Sequence, residues 1–257
     1  MRSTALTIAG SDPSGGAGIQ ADLKTFHQLE VYGEAVITLI TVQNTLGVSR
    51  VECLPADLVI EQLRAVLEDI PPAAIKTGAL GNREIVIAIA QEATGFRVPL
   101  IVDPVMISKH GAPLVSDEAR AAIIRDLIPR ASLLTPNLHE AAALTGETVE
   151  NIHQMRRAAK LLQEMGAEAV LVKGGHLEGD AVDVLLARGE WTEFAAPRHR
   201  TIHTHGTGCT YSAAITAFLA RGFELGEAVS MAKTYITEAI RTNPGLGRGS
   251  GPVNHWV

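Results

Sequence analysis

The chain has 257 residues, 46% hydrophobic and 19% charged, which suffices to bury a large core as one α/β domain. Its net charge of −6 lacks the basic footprint of a nucleic-acid binder, and no apolar run approaches the ~18 residues of a membrane span. Cys53 and Cys209 are too few for a disulfide framework, and the start "MRSTALTIAGSDP" has no signal-peptide core, so small-molecule partners and a cytoplasmic setting are expected.

Short β-branched runs predict strands at 5–10, 35–42, 73–78, 99–105, 132–137, 169–175 and 182–187. Helical periodicity predicts helices over about 18–31, 57–70, 82–94, 116–128, 137–145, 151–166, 208–221 and 225–242. In the first of these, Ile19, Leu23, Phe26 and Leu29 form one apolar stripe. Strands that are apolar on both faces and alternate with helices predict a mainly parallel sheet covered on both sides. In such sheets ligands bind beyond the carboxyl ends of the strands. The segments "GSDPSGGAG", "QNTLG", "KTGALG", "DPVMISKHGA", "PNLHE" and "KGGH" fall in just those places, so one pocket would collect them. The glycine-rich tail ends in Trp256, which predicts a docked tail.

After the first strand, Gly15, Gly16 and Gly18 have the spacing GGxG, which departs from the dinucleotide-binding fingerprint. Asp22 lies one turn into the following helix, and Gln43 with Asn44 ends the next strand. Together these amides and the carboxylate suit a planar heterocycle. Asp22 alone is equally an exposed carboxylate at a helix start, favoured by the dipole. Asp103 closes one strand, and Asn137 and Glu140 begin a helix, so the two carboxylates could hold Mg²⁺ beside a phosphate. Asn137 and Glu140 also fit a capping box. Lys173 ends an apolar strand, a costly place for a charge unless an anion meets it. His110, His139, His176, His203 and His205 lack zinc spacing and read as polar loop residues. In "HTHGTGCT", Gly206, Thr207 and Gly208 precede a helix whose free amides can seat a phosphate. Cys209 stands in that turn, either as a thiol inclined to ionise there or as a small buried hydrophobe.

Seven stretches in this order, "TIAGSDPSGGAGIQADLKTF", "TVQNTLGV", "IKTGALG", "VDPVM", "TPNLHEA", "VLVKGGH" and "HGTGCT", resemble the hydroxymethylpyrimidine/phosphomethylpyrimidine kinases of thiamine biosynthesis, within the ribokinase superfamily. The resemblance implies two successive ATP-dependent transfers, giving first the monophosphate and then the diphosphate of 4-amino-5-hydroxymethyl-2-methylpyrimidine. It implies that Cys209 serves as general base or positions the nucleophile, and that the amides of Gly206 to Cys209 form the anion hole. Gly10, Asp22 and Gln43 would contact the pyrimidine, Lys173, Thr207 and Asn137 would serve ATP, and Asp103 with Glu140 would hold Mg²⁺. Residues 106–113 resemble a flap over the site, and Ala79 stands where many relatives carry methionine. A homodimer is implied, and the chain's end just after the last helix leads to no fused thiamine-phosphate synthase domain being expected. The rivals are a pyridoxal kinase, disfavoured by Ser108 where dual-activity relatives carry cysteine, and a catalytically dead sensor, which would bind the pyrimidine without consuming ATP.

Overall fold

Each β-branched run becomes a strand in the computed structural model, which describes residues 3–107, 111, 113–175 and 179–257. In chain order the strands are β1 Thr4–Ser11, β2 Tyr32–Asn44, β3 Gly47–Cys53, β4 Ala74–Thr77, β5 Leu100–Val102, β6 Leu133–Leu134, β7 Ala169–Val172, β8 Ala181–Ala187 and β9 Glu190–Ala196. They form one sheet in the order β3-β2-β1-β4-β5-β6-β7-β8-β9. From β2 to β7 the pairing is parallel, and β3, β8 and β9 join antiparallel at the edges. The strands predicted over 99–105 and 132–137 are shorter than expected, because Pro104 and Pro136 cannot donate to a ladder. Neither β3 nor β9 was expected: in both, exposed charged positions replace the apolar runs that mark interior strands.

The helices are α1 Gly18–Gln28, α2 Ala56–Asp69, α3 Arg83–Glu92, α4 Asp117–Ala122, α5 Leu138–Thr145, α6 Ile152–Glu164, α7 Thr207–Ala220 and α8 Leu225–Arg241. The helix predicted over 116–128 is α4 followed by a π turn at Ile123–Leu127 and a 3₁₀ turn at Ile128–Arg130, where Pro129 interrupts the regular bonding. Two apolar layers flank the sheet: Val59, Leu63, Ile85, Ile89 and Leu162 of α2, α3 and α6 on one face, and Phe26, Tyr211, Ile215, Phe218 and Ile236 of α1, α7 and α8 on the other. Because β1 lies between β2 and β4, the chain leaves it on one side and returns on the other. That reversal opens a crevice at the carboxyl ends of β1 and β4.

The tail docks, but through other residues than Trp256. Val253 and His255 are buried, the amide of His205 donates to the carbonyl of Gly251 at 3.0 Å, and Thr210 Oγ1 lies 3.1 Å from His255 Nε2. Trp256 is 76% exposed. The sequence offered a large aromatic as the natural anchor, whereas the structure uses a backbone pairing that side-chain hydropathy does not reveal.

At the opposite end of β2, Glu34 is buried with both carboxylate oxygens unpartnered among the described residues, and burial pushes its carboxyl up to about 7. In the unfolded chain it ionises near the ordinary glutamate value, so its contribution is lost as pH rises through that value toward 7. Glu34→Gln is therefore expected to stabilise the fold at pH 8 by about 2 kcal/mol and to do nothing at pH 4. Thermal unfolding at both pH values checks this, and an equal shift at each would refute it.

Candidate active site

A cavity of about 830 Å³ runs along the carboxyl ends of the central strands and is closed below by the start of α7. Gly10, Gln43, Asp103, Asn137, Glu140, Lys173, Gly206, Thr207, Gly208 and Cys209 all border it. Asp22 does not. It is fully buried beneath the floor, where its Oδ2 accepts from Thr7 Oγ1 at 2.6 Å and from Lys76 Nζ at 2.8 Å. The structure thus shows neither an exposed carboxylate nor one facing a heterocycle, because α1 turns this position inward onto β1 and β4. Of the flap residues, 108–110 and 112 lie outside the described residues, as do His110, Ser108 and His176.

Gly206 caps α7 with φ +78°, in the left-handed region, and no side chain caps the helix. Thr207 turns back on Thr204: its amide donates to that carbonyl at 3.3 Å and its hydroxyl at 2.7 Å. The hydroxyl expected to meet ATP is therefore already donating within the loop. The amides of Gly208 and Cys209 have no backbone partner among the described residues, so they are open to an anion. Cys209 is half-buried, with the Gly18 amide among its neighbours. Burial pushes the thiol up to about 11, with Lys76 and the Gly18 amide opposing and Asp22 and Asp103 adding to the rise. Of the two readings of Cys209, the thiol inclined to ionise gives way to the buried one, because desolvation outweighs the favourable field of the helix end.

On the far side, Lys173 Nζ donates to Asp103 Oδ1 at 2.9 Å, and Ser212 Oγ donates to Asp103 Oδ2 at 2.9 Å. Burial alone would raise the Asp103 carboxyl, yet Lys173, Lys76 and these hydrogen bonds hold it below the usual range. The capping box is real: Glu140 N–H donates to Asn137 Oδ1 at 2.9 Å, and Asn137 N–H to Glu140 Oε2 at 2.8 Å. Glu140 Oε1 has no partner among the described residues. Burial pushes this carboxyl up to about 7, with Lys173 opposing and Asp103 adding to the rise. A cation brought by phosphates would favour its ionised form. Among the described residues no group of three or more His, Cys, Asp or Glu forms a metal cage. One free carboxylate oxygen beside a phosphate seat nevertheless suits Mg²⁺, which takes few protein ligands and completes its shell with phosphate oxygens and water.

At the other end of the cavity, His205 Nε2 lies 2.9 Å from Asp12 Oδ2 and 3.0 Å from the Gln43 amide nitrogen. Ser14 Oγ and the amides of Ser14 and Ala17 also donate to Asp12, each at 2.9 Å. Burial would raise the Asp12 carboxyl, but His205 and Ser14 keep it below its ordinary value. His205 is thus a buried strut joining the first loop to the α7 loop, not the polar loop residue expected. Asp12 and Lys76 were not anticipated at all.

Residues 12–254 match the family model described as phosphomethylpyrimidine kinase. The chain belongs to the phosphomethylpyrimidine kinase family. The hydroxymethylpyrimidine/phosphomethylpyrimidine kinase of Bacillus subtilis is 45% identical, over 98% of this chain and 94% of that protein. The thiamine biosynthesis bifunctional protein ThiED of Geobacter sulfurreducens is 49% identical over 99% of this chain, which spans about half of that protein (52%). Among solved structures, the phosphomethylpyrimidine kinase of Clostridium difficile is similar with a TM-score of 0.83 and 46% identity, covering 93% of this chain and all of that one (100%). The pyridoxal kinase of Staphylococcus aureus in complex with AMP-PCP and pyridoxal has a TM-score of 0.91 and 36% identity, covering 100% and 94%.

Proposed function

We propose that the chain transfers the γ-phosphoryl group of ATP to the hydroxymethyl oxygen of 4-amino-5-hydroxymethyl-2-methylpyrimidine, then a second phosphoryl group to the resulting monophosphate, in thiamine biosynthesis. The observation that carries this is a single cavity in which the Gln43 end and the Lys173 end meet at the α7 amides. In each transfer the acceptor oxygen bonds to the γ-phosphorus, the bond to the β-phosphate oxygen breaks, and ADP leaves. Such a transition state is stabilised chiefly by position and by neutralised charge. Gln43 orients the aminopyrimidine edge, and Gly10 leaves room for the ring beside it. Lys173, with Asn137 at the start of α5, faces the ATP phosphates, and the amides of Gly208 and Cys209 receive the transferring group.

Mg²⁺ would be held by Glu140 together with phosphate oxygens and water, with Asp103 fixing Lys173 behind it. Bound there, the cation would neutralise charge between the β- and γ-phosphates. We further read residues 1–257 as one ribokinase-like domain that works as a homodimer in the cytoplasm, on the strength of the family resemblance and of one sheet running through the described residues. Among those residues no helix is long and apolar enough to cross a membrane.

A second reading, pyridoxal phosphorylation, is favoured by the likeness to the solved pyridoxal kinase over the whole chain. Mass spectrometry of products from ATP, Mg²⁺ and each candidate alcohol separates the two. The expected result is diphosphate from both hydroxymethylpyrimidine and its monophosphate, with little pyridoxal phosphate. Pyridoxal phosphate alone would overturn the thiamine assignment, and binding without any product would indicate a sensor.

A further inference from the structure

Beneath the cavity floor lies a second charged layer that touches no substrate position. Lys76 stands on β4, at the switch point of the sheet, and its side chain and that of Asp22 are both 0% exposed. Lys76 Nζ and Thr7 Oγ1 both donate to Asp22 Oδ2, and they oppose the burial that pushes this carboxyl up. Asp22 Oδ1 is buried without a partner among the described residues. Ion pairs of this kind are weak contributors to stability, because desolvation of two charges offsets most of their attraction. Stability alone is therefore a poor account of why two charges lie here.

Their position supplies a better one. An ideal Cβ on Gly78, a residue of the cavity wall, would stand 3.5 Å from Lys76 Nζ, so the ammonium lies directly behind that wall. The corresponding point on Gly208 is 3.4 Å from Lys173 Nζ. The start of α7 is thus flanked by two buried ammonium groups, and only that of Lys173 borders the cavity itself.

We propose that Lys76 is a positioning residue for phosphoryl transfer: held by Asp22 and Thr7, its ammonium is a fixed positive charge behind Cys209 and the α7 amides. This role presupposes the kinase activity proposed above. The charged or titratable groups facing Lys76 are Asp22 from α1, Asp103 beyond β5 and Cys209 from α7. Burial would lower its pKa, but these three raise it, Asp22 foremost, so the charge persists. Lys76 lies against the Gly78 wall of the cavity and favours the Cys209 thiolate, which Asp22 opposes. A charge fixed in a dry layer needs no reorganisation when the transferring phosphoryl group arrives, the condition under which such charges help most.

The decisive variant is Lys76→Met combined with Asp22→Asn. It leaves no uncompensated buried charge and still offers Thr7 an acceptor. With near-native thermal unfolding, kcat is expected to fall about tenfold or more in both transfers, while KM for ATP changes by less than about threefold. Iodoacetamide labelling of Cys209 at pH 9, read by peptide mass spectrometry against Cys53, is expected to slow about tenfold as the thiolate fraction drops. Wild-type kcat and unchanged labelling in the folded variant would overturn the role and leave the pair purely structural. If that variant does not fold, Lys76→Gln combined with Asp22→Asn, which keeps a donor facing an acceptor between two neutral amides, carries the same expectations. If wild-type protein forms no product, the kinase reading itself fails. The labelling ratio still decides whether Lys76 acts on Cys209.

Discussion

Gly206→Ala is expected to lower kcat at least about 10³-fold while the protein remains folded. At φ +78° an alanine costs roughly 1–2 kcal/mol in backbone strain, which a domain of this size tolerates. The larger effect is local. A Cβ at Gly206 would overlap the carbonyl of Gly16, so the loop carrying Gly15 to Gly18 and the start of α7 must move apart. That movement shifts the open amides of Gly208 and Cys209 away from Lys173. Misplacement by about 1 Å costs on the order of 10²-fold in rate, and losing one anion-hole donor costs a similar factor. Gly146 supplies the control: it caps α5 at φ +73° with nothing near its added Cβ. Gly146→Ala should lower the unfolding temperature and leave kcat alone. If Gly206→Ala keeps more than about a tenth of the wild-type kcat, the α7 loop is not the seat of transfer.

How far the sequence reveals such a site depends on where each residue's partners lie. The interior strands were legible because both their faces meet apolar layers, and the glycine turn before α7 because a helix start has a local signature. The edge strands β3 and β9 were not, since half of each faces solvent and composition no longer marks it. Ten of the candidate site residues meet at one cavity because the fold brings strand ends together, which the alternation of elements already implies. Asp22 illustrates the limit. Its position one turn into α1 was plain, but whether it faced solvent, ligand or core depended on Lys76, which lies 54 residues away. The signal for Lys76 was present and of the same kind as that for Lys173, a lysine ending an apolar strand. Lys173 borders the cavity, while Lys76 lies beneath it. His205 likewise looked like one more loop histidine, because its partner Asp12 is 193 positions distant. Burial is the property least visible in sequence, and it is burial that decides between the two readings of the Cys209 thiol.

That outcome governs what Cys209→Ala should do. With the thiol pushed up to about 11, the sulfur carries its proton at neutral pH and can orient an acceptor oxygen without removing a proton from it. The two proposed transfers differ in just this respect. The first acceptor is an alcohol, whose proton must leave as the new bond forms. The second is a phosphate, whose second ionisation near pH 6 has already removed its proton at pH 7.5. A general base is therefore useful only in the first transfer, whereas a positioning group is useful in both. Cys209→Ala is expected to reduce kcat of both transfers by a similar factor, on the order of 10- to 100-fold, with KM for ATP little changed. Single-turnover rates with hydroxymethylpyrimidine and with its monophosphate, measured on the same preparation, give the ratio directly. A loss at least about tenfold larger in the first transfer would instead assign Cys209 the base role and require substrate binding to bring the thiol down by several pH units. An equal loss would mean that the alcohol proton leaves late, to the transferred phosphoryl oxygens or to water, and that the site works chiefly by holding charge and geometry fixed.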